Sequence, residues 1–361
     1  MELPFEICSG EWRTGSHVQG IAFDSDGGCM YYSFTTHLIK TDLTGRPLGS
    51  VKNLTGHLGC ISFDKKRRLA VGSLEFKHDA IGRGIAAATG REIAEEDAFY
   101  AVAFDADRIT RFDMDAERDS VMRAVYLCDV VRDYAETDEV SGQKHRYGCS
   151  GIDGTGVGPA FGTGGQGNEK LMIAYGIYGD VARRDNDHQV ILQYDPDIFD
   201  TYGRPLDQRA PHHSGPTAAE ARYFVYTGNT RYGIQNLEYD PASGLWLAAV
   251  YTGKKPGFAN APLYFIDGKK PPVSGVLRGR EPETGLLLTL SGRNRKPAAG
   301  LDCGGVAFPL GSTGIAAVGD GSFYFSDERS DFANGVFSTR VRLFYMDDDA
   351  PTGFTEAKTR G

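Results

Sequence analysis

His17-Val-Gln-Gly-Ile-Ala-Phe-Asp24 is a phrase the chain repeats. It returns as His57-Leu-Gly-Cys-Ile-Ser-Phe-Asp64, as Arg146-Tyr-Gly-Cys-Ser-Gly-Ile-Asp153 and, more loosely, as Gly233-Ile-Gln-Asn-Leu-Glu-Tyr-Asp240 and Asp302-Cys-Gly-Gly-Val-Ala-Phe-Pro309. Each copy ends on an apolar residue followed by a turn former, and internal repetition of this kind takes precedence over any single element. After each copy comes a short Gly/Asp/Pro/Lys-rich turn and a β-branched or aromatic run: residues 30–35, 69–76, 171–178, 245–251 and 322–326. Two extended runs around a tight turn predict a hairpin, five times over.

Further candidate strands follow each hairpin: 38–43 with 47–52, 99–105 with 121–131, 190–194 with 222–227, and 263–267 with 286–290. The fifth unit has only 340–346, whereas residues 5–12 precede the first repeat without a partner. The expected fold is therefore all-β: a five-bladed β-propeller of four-stranded antiparallel blades, one domain over residues 1–361, closed by the N-terminal strand in the last blade. A small twisted sheet cannot bury both faces alone, and stacking around an axis gives each face a neighbour. A sandwich would suit similar hairpin spacing, but recurrence in phase at five places and the leftover strand favour the ring. Helix is expected only within 82–98, and 200–220 reads as a long surface loop.

The phrase resembles the generic blade of the β-propeller superfamily that includes gluconolactonase-like, phytase-like and NHL-type proteins, in which an inner strand ending in Asp is followed by a turn and a second strand. The pattern is short and degenerate. It identifies no individual family and carries over no catalytic residue.

Composition agrees with a turn-rich globular chain, with 47 Gly in 361 residues and 20 Phe and 18 Tyr spread along it. A net charge of −9 supplies no basic surface for nucleic acid or an anionic membrane. No run approaches the ~18 apolar residues of a membrane span, and the first residues lack the pattern of a signal peptide. The expected location is cytoplasmic. The six cysteines (8, 29, 60, 128, 149, 303) form no C-x-x-C pair, so all are expected as free thiols.

Equivalent positions of a rotational repeat converge on the axis. The inner-strand starts place His17, His57, Arg146 and Asp302 there, with Arg231, Glu75 and His78 on adjoining loops of the same rim. A histidine can act as general base or metal ligand, with Asp302 as its partner; Arg146 and Arg231 suit an anion. A satisfied polar plug is the bland alternative for all of them. The cofactor such a group could hold is a divalent metal (Ca, Mg, Mn or Zn). Asp24, Asp64, Asp153 and Asp240 read as turn residues of the opposite rim, because Asp24-Ser-Asp-Gly27 lacks the later Glu of a calcium loop. Gly162-Thr-Gly-Gly-Gln-Gly167 is followed by a strand, not a helix, so it reads as a turn and not a dinucleotide site. His212-His213 reads as a solvated pair.

Two functions remain open on this reading. One is a small-molecule enzyme, hydrolase or lyase, acting on a polar, anionic or carbohydrate-like ligand in the axial funnel. The other is a non-catalytic propeller using the same rim loops to bind a protein or glycan. Oligomeric state is not legible in the sequence.

Overall fold

In three of the five hairpins the repeated aspartate closes the turn with its own side chain. Asp24 Oδ1 accepts from the Gly27 N–H at 2.8 Å, Asp64 Oδ1 from Arg67 N–H at 2.9 Å, and the Asp240 carboxylate from Ala242 and Ser243 N–H at 3.2 and 3.0 Å. Each bond fixes where the strand stops and hence the register, so that Asp24 faces Cys29, Asp64 faces Leu69 and Asp240 faces Leu245. The computed structural model describes residues 17–92, 94–138, 142–256, 261–294, 304–331 and 333–357, and the main chain of 5–8.

The strands form five sheets, antiparallel except where Val51 and Lys52 pair with Met114 and Asp115 and where Tyr223 and Phe224 pair with Leu286 and Leu287. Blade I holds Val18–Asp24, Cys29–Phe34, His37–Asp42 and Pro47–Lys52; blade II holds His57–Asp64, Leu69–Phe76, Ala98–Asp105 and Met122–Tyr126. Blade III holds Cys149–Pro159, Glu169–Ile177, His188–Tyr194 and Ala221–Tyr226, extended by the Val273–Val276 and Thr284–Leu287 hairpin. Blade IV holds Thr230–Asp240, Leu245–Thr252 and Leu263–Asp267. Blade V holds Ile315–Ala317, Ser322–Glu328 and Ser338–Met346, with Phe5–Cys8 paired antiparallel to its last strand. Inner strands of successive blades touch all the way round, including blade V against blade I. The chain is a five-bladed propeller closed by its N-terminal strand, as the repeat predicts.

Strand alternation explains how such thin sheets are held. Tyr31 and Tyr32 are adjacent on one strand and point to opposite faces. Tyr31 joins the apolar cluster against blade II, with Phe63 stacked on it at 5.5 Å, while Tyr32 joins the cluster against blade V with Tyr324 and Val341. Trp246 and Leu247 split in the same way, toward blade III and blade V respectively. Every blade interface therefore has its own core, and a fully buried ring such as Trp246 stabilises by roughly 1.5–3 kcal/mol.

Four sequence expectations are corrected. In blade III the inner strand does not stop at Asp153. It runs on to Pro159, with register irregularities between Cys149 and Gly151 and between Ile152 and Thr155, and turns only at 160–168. In blade V the inner strand is Ile315–Ala317, paired with Phe323–Phe325; Val306, from the expected fifth copy, instead bridges Leu263 at the edge of blade IV. Residues 286–290 are not one blade IV strand: Leu286 and Leu287 pair in parallel with Tyr223 and Phe224 of blade III, and only the end of the segment reaches blade IV, Leu290 bridging Ile266 and Thr289 O accepting from Asp267 N–H. The expected strand 121–131 ends at Tyr126 and gives way to helix α2, Cys128–Ala135. Helix α1, Ala80–Thr89, is capped by Asp79 and ended by Gly90 in the left-handed region, slightly ahead of the segment expected to be helical. Among the described residues no helix is long and apolar enough to cross a membrane.

Candidate functional site

The inner strands meet at a polar knot. Asn236 of blade IV donates from Nδ2 to Gln19 O of blade I at 2.9 Å and to Ser312 O before blade V at 3.1 Å. Cys60 Sγ of blade II lies 3.2 Å from Asn236 Oδ1 and 3.4 Å from Thr155 O of blade III. Burial raises the Cys60 thiol to about 12, so it stays protonated. Beside this knot opens a cavity of about 400 Å³, walled by residues from blades I to IV and by one face of α1.

A chain of charges crosses that cavity. Glu75 and Lys77 lie two apart in sequence, and Glu75 Oε1 is 2.5 Å from Lys77 Nζ with both side chains 4% exposed. Lys77 also donates to Ser150 O at 2.7 Å and lies 3.4 Å from Asp79 Oδ2. Asp79 in turn accepts from the Ile81 and Gly82 N–H groups that open α1, each at 2.9 Å, and from Tyr178 OH at 3.2 Å. The other Glu75 oxygen accepts from Ile152 N–H at 3.0 Å. That bond needs Gly151, whose φ of +120° is open to glycine and whose missing Cβ would overlap the Glu75 carboxylate.

His57 stands at the end of this chain. Its Nδ1 is 3.5 Å from Glu75 Oε1 and makes no hydrogen bond among the described residues. Asp153 lines the same cavity, is 8% exposed, and has an Oδ1 likewise without a partner there. Burial works against charge on His57, but the Glu75 carboxylate and Asp153 outweigh it and the imidazole pKa rises. Burial also pushes Asp153 up to about 7, with His57 pulling it down and Glu75 adding to the rise. For Glu75 the desolvation is overcome by Lys77 and then His57, and its pKa falls. Two proton-holding groups thus face one cavity, one of them titrating near neutrality, over an ion pair that stays charged.

The predicted residues separate into three groups. His17, His57 and Glu75 do line the funnel. His17 Nδ1 bonds Val18 O at 2.9 Å and lies 3.8 Å from Glu328 Oε1, beside Gln19. Arg146, Arg231 and His78 do not line it. Arg146 precedes the blade III strand in a turn where Tyr147 has φ +56°, and it points to a separate cluster on the flank, bonding Glu136 at 3.2 Å and Glu283 at 2.7 Å. There it shares Tyr147 with Arg222 and Arg280, among Asp129, Asp133, Glu136 and Glu283, so the charges neutralise one another. Arg231 is exposed and lies against the ring of Tyr232. His78 is half-exposed, 3.1 Å from Asp97 Oδ1. Asp302 lies outside the described residues. Asp153, read from the sequence as a turn residue, also lines the funnel, with Lys77, Tyr232, Gln235 and Tyr251.

The expected metal finds no cradle among the described residues, where no three His, Cys, Asp or Glu side chains are arranged to hold an ion. Cys29, Cys60, Cys128 and Cys149 are free, and Cys8 and Cys303 fall outside the side chains described.

No family model matches the chain. No curated protein matches it in sequence. Solved structures similar to it include hydrazine synthase from Kuenenia stuttgartiensis, at 11% identity and TM-score 0.36, covering 91% of this chain and 65% of that one. The chain thus spans less than two thirds of that protein. Others are the PQQ domain of pyranose dehydrogenase from Coprinopsis cinerea (10% identity, TM-score 0.38, 90% of this chain and 81% of that one) and the soluble aldose sugar dehydrogenase of Escherichia coli in its apo form (9%, 0.38, 91% and 96%). Likeness at this level bears on neither substrate nor chemistry.

Proposed function

We propose that the chain is an enzyme, a hydrolase or lyase, that moves protons at a small hydroxylated molecule held in the axial funnel. The observation that carries this is the pair His57 and Asp153: two titratable groups on one cavity, His57 part-buried and Asp153 buried, with His57 Nδ1 and Asp153 Oδ1 making no hydrogen bond to any described residue. An unpartnered buried polar atom costs roughly 1–3 kcal/mol, a cost that a bound substrate would relieve. In hydrolysis Asp153, once ionised, takes a proton from water as the water oxygen bonds the electrophilic carbon, and His57 gives its proton to the departing oxygen. In an elimination the same two groups remove the proton from carbon and protonate the leaving oxygen. The Glu75 carboxylate and Asp153 favour the protonated imidazole of His57, while Lys77 opposes it.

The ligand is better read as neutral and carbohydrate-like than as anionic. Arg146 and Arg231 do not line the funnel, and Lys77 is already engaged by Glu75, Asp79 and Ser150 O. What lines it besides are neutral donors and acceptors: Gln19, Thr35, Thr36, Ser150, Gln235 and the two tyrosines, of which burial raises Tyr251 to about 12.

The test is a turnover screen by NMR over neutral sugars, glycosides, lactones and sugar acids, with His57→Gln and Asp153→Asn alongside the native chain. Turnover of a neutral hydroxylated compound should fall ~10²–10⁴-fold in either variant. Turnover that survives both substitutions overturns the assignment, and binding without any turnover favours the non-catalytic reading.

A further inference from the structure

We infer that the substrate of this funnel is amphipathic, with a hydroxylated head at His57 and Asp153 and an uncharged aliphatic or aryl group lying against α1. The inference rests on the acid–base reading above and adds the chemical class of the molecule's other end.

Helix α1 turns Ala80, Ile81, Gly84, Ile85 and Ala88 toward the cavity. Those positions recur at three- and four-residue spacing and so form one face. An apolar helix face is ordinarily covered by packing, yet here Gly84 and Ala88 are exposed. The two glycines of the helix are not equivalent. A Cβ on Gly82 would collide with the Lys77 carbonyl, so the close approach of α1 to its own N-terminal strand requires glycine there. A Cβ on Gly84 would meet nothing within 4 Å. Glycine is the weakest ordinary helix former, and no contact in the fold calls for it at 84. Its effect is to keep the space in front of α1 empty.

The second observation comes from the other side of the same cavity. Asp153, 8% exposed, lines it, and its Oδ1, close to Gly59, makes no hydrogen bond among the described residues. A void lined only by the apolar face of α1 could be indifferent packing, but one that also holds a buried carboxyl group with one oxygen left without a hydrogen bond is built to receive a molecule with a polar end. The volume of about 400 Å³ lies within the range of small-molecule sites. Asp79 joins the two ends, since it caps α1 and also lies beside Lys77 of the charged chain.

The experiment is calorimetric titration of the full chain with methyl, butyl and hexyl β-D-glucopyranoside, and with 1-butanol and 1-hexanol as probes without a head. Affinity should tighten about fourfold per added methylene. Gly84→Leu, which fills the space without a backbone clash, should abolish that gain; Ile81→Ser should flatten it, with the thermal midpoint reporting that each variant folds. Methyl glucoside binding with no gain from the alkyl chain, or the same gain in Gly84→Leu, overturns the inference and leaves the acid–base reading standing. Alkanol binding that is sensitive to Gly84→Leu, with no glucoside bound, upholds the apolar half and overturns the hydroxylated head. No binding by any probe overturns both.

Discussion

Lys77 Nζ sits 2.5 Å from Glu75 Oε1, on residues two apart and both almost wholly buried, at the point where a blade strand passes into the helix that walls the cavity. A buried ion pair is expensive to break from one side, because the remaining charge keeps its desolvation cost. Lys77→Met should therefore destabilise the fold by about 3–5 kcal/mol, read as a lower denaturation midpoint in urea. The double variant Glu75→Gln with Lys77→Met should recover part of that loss. If the double variant loses the sum of the two single losses, the pair is not coupled as the geometry requires.

Asp153 makes a prediction with a definite sign. Its folded pKa is raised to about 7 from an ordinary 3.8, so between ~pH 4 and 7 the folded chain holds a proton that the unfolded chain has released. Its contribution to stability therefore declines as pH rises through that window and is level above it. Asp153→Asn removes the decline, and the stability of the variant relative to the native chain should grow from pH 4 to 7 by an amount on the order of a few kcal/mol. Parallel stability curves for the two proteins would remove Asp153 as a neutral-range titrating group.

The same pair, if it works on substrate, should also shape the rate. With His57 raised and Asp153 near 7, kcat/KM should be bell-shaped, its limbs being apparent values of the coupled pair and not of either residue alone. Asp153→Asn should remove the limb nearest neutrality. A rate profile unchanged in shape in that variant would place the titrating groups elsewhere.

What the sequence made legible was local. The hairpins at Asp24, Asp64 and Asp240 are readable because the aspartate that ends the phrase bonds the turn beside it. Asp153 satisfies the same pattern, yet two register irregularities carry it off the turn and into the funnel, a three-dimensional shift that an Asp-Gly dipeptide does not record. Blade V did leave a signal: Gly314-Ile-Ala316 repeats Gly20-Ile-Ala22 and marks the inner strand better than the looser copy at 302–309. α2 carried one too, since Val130 with Tyr134 and Asp129 with Asp133 are spaced for a helix and not a strand. Arg146 was misplaced because it lies in a turn before the strand, where Tyr147 with φ +56° breaks the repeat's geometry and the side chain points to the flank.

Ring closure can be measured at the chain's ends. The main chain of Phe5–Cys8 pairs with Ser338–Val341, and Phe354–Glu356 pairs further along the same strand, so both ends of the chain cover one edge. Deleting residues 1–13 exposes that edge and should lower the thermal midpoint by several degrees and promote association. Phe354→Ala should be costlier still, about 3–5 kcal/mol, because Phe354 is 4% exposed among Phe308, Phe323 and Phe325. A truncated chain with an unchanged midpoint would mean that the N-terminal strand does not close the ring.

The two glycines of α1 offer the sharpest contrast, since the same substitution should act in opposite directions two residues apart. Alanine gains up to ~1 kcal/mol over glycine in a helix interior, and at Gly84 nothing lies within 4 Å to oppose it, so Gly84→Ala should raise stability by about that amount. At Gly82 the added methyl meets the Lys77 carbonyl. The helix must then move off that strand end, which pulls the Ile81 and Gly82 amides from Asp79 at a cost of ~1 kcal/mol for the cap and draws Asp79 away from Lys77. Gly82→Ala should accordingly destabilise, and hydrogen exchange of the first-turn amides should quicken in it and slow in Gly84→Ala. Equal stabilisation by the two substitutions would show that α1 is not seated against Lys77, and the link from the charged chain to the apolar wall would be lost with it.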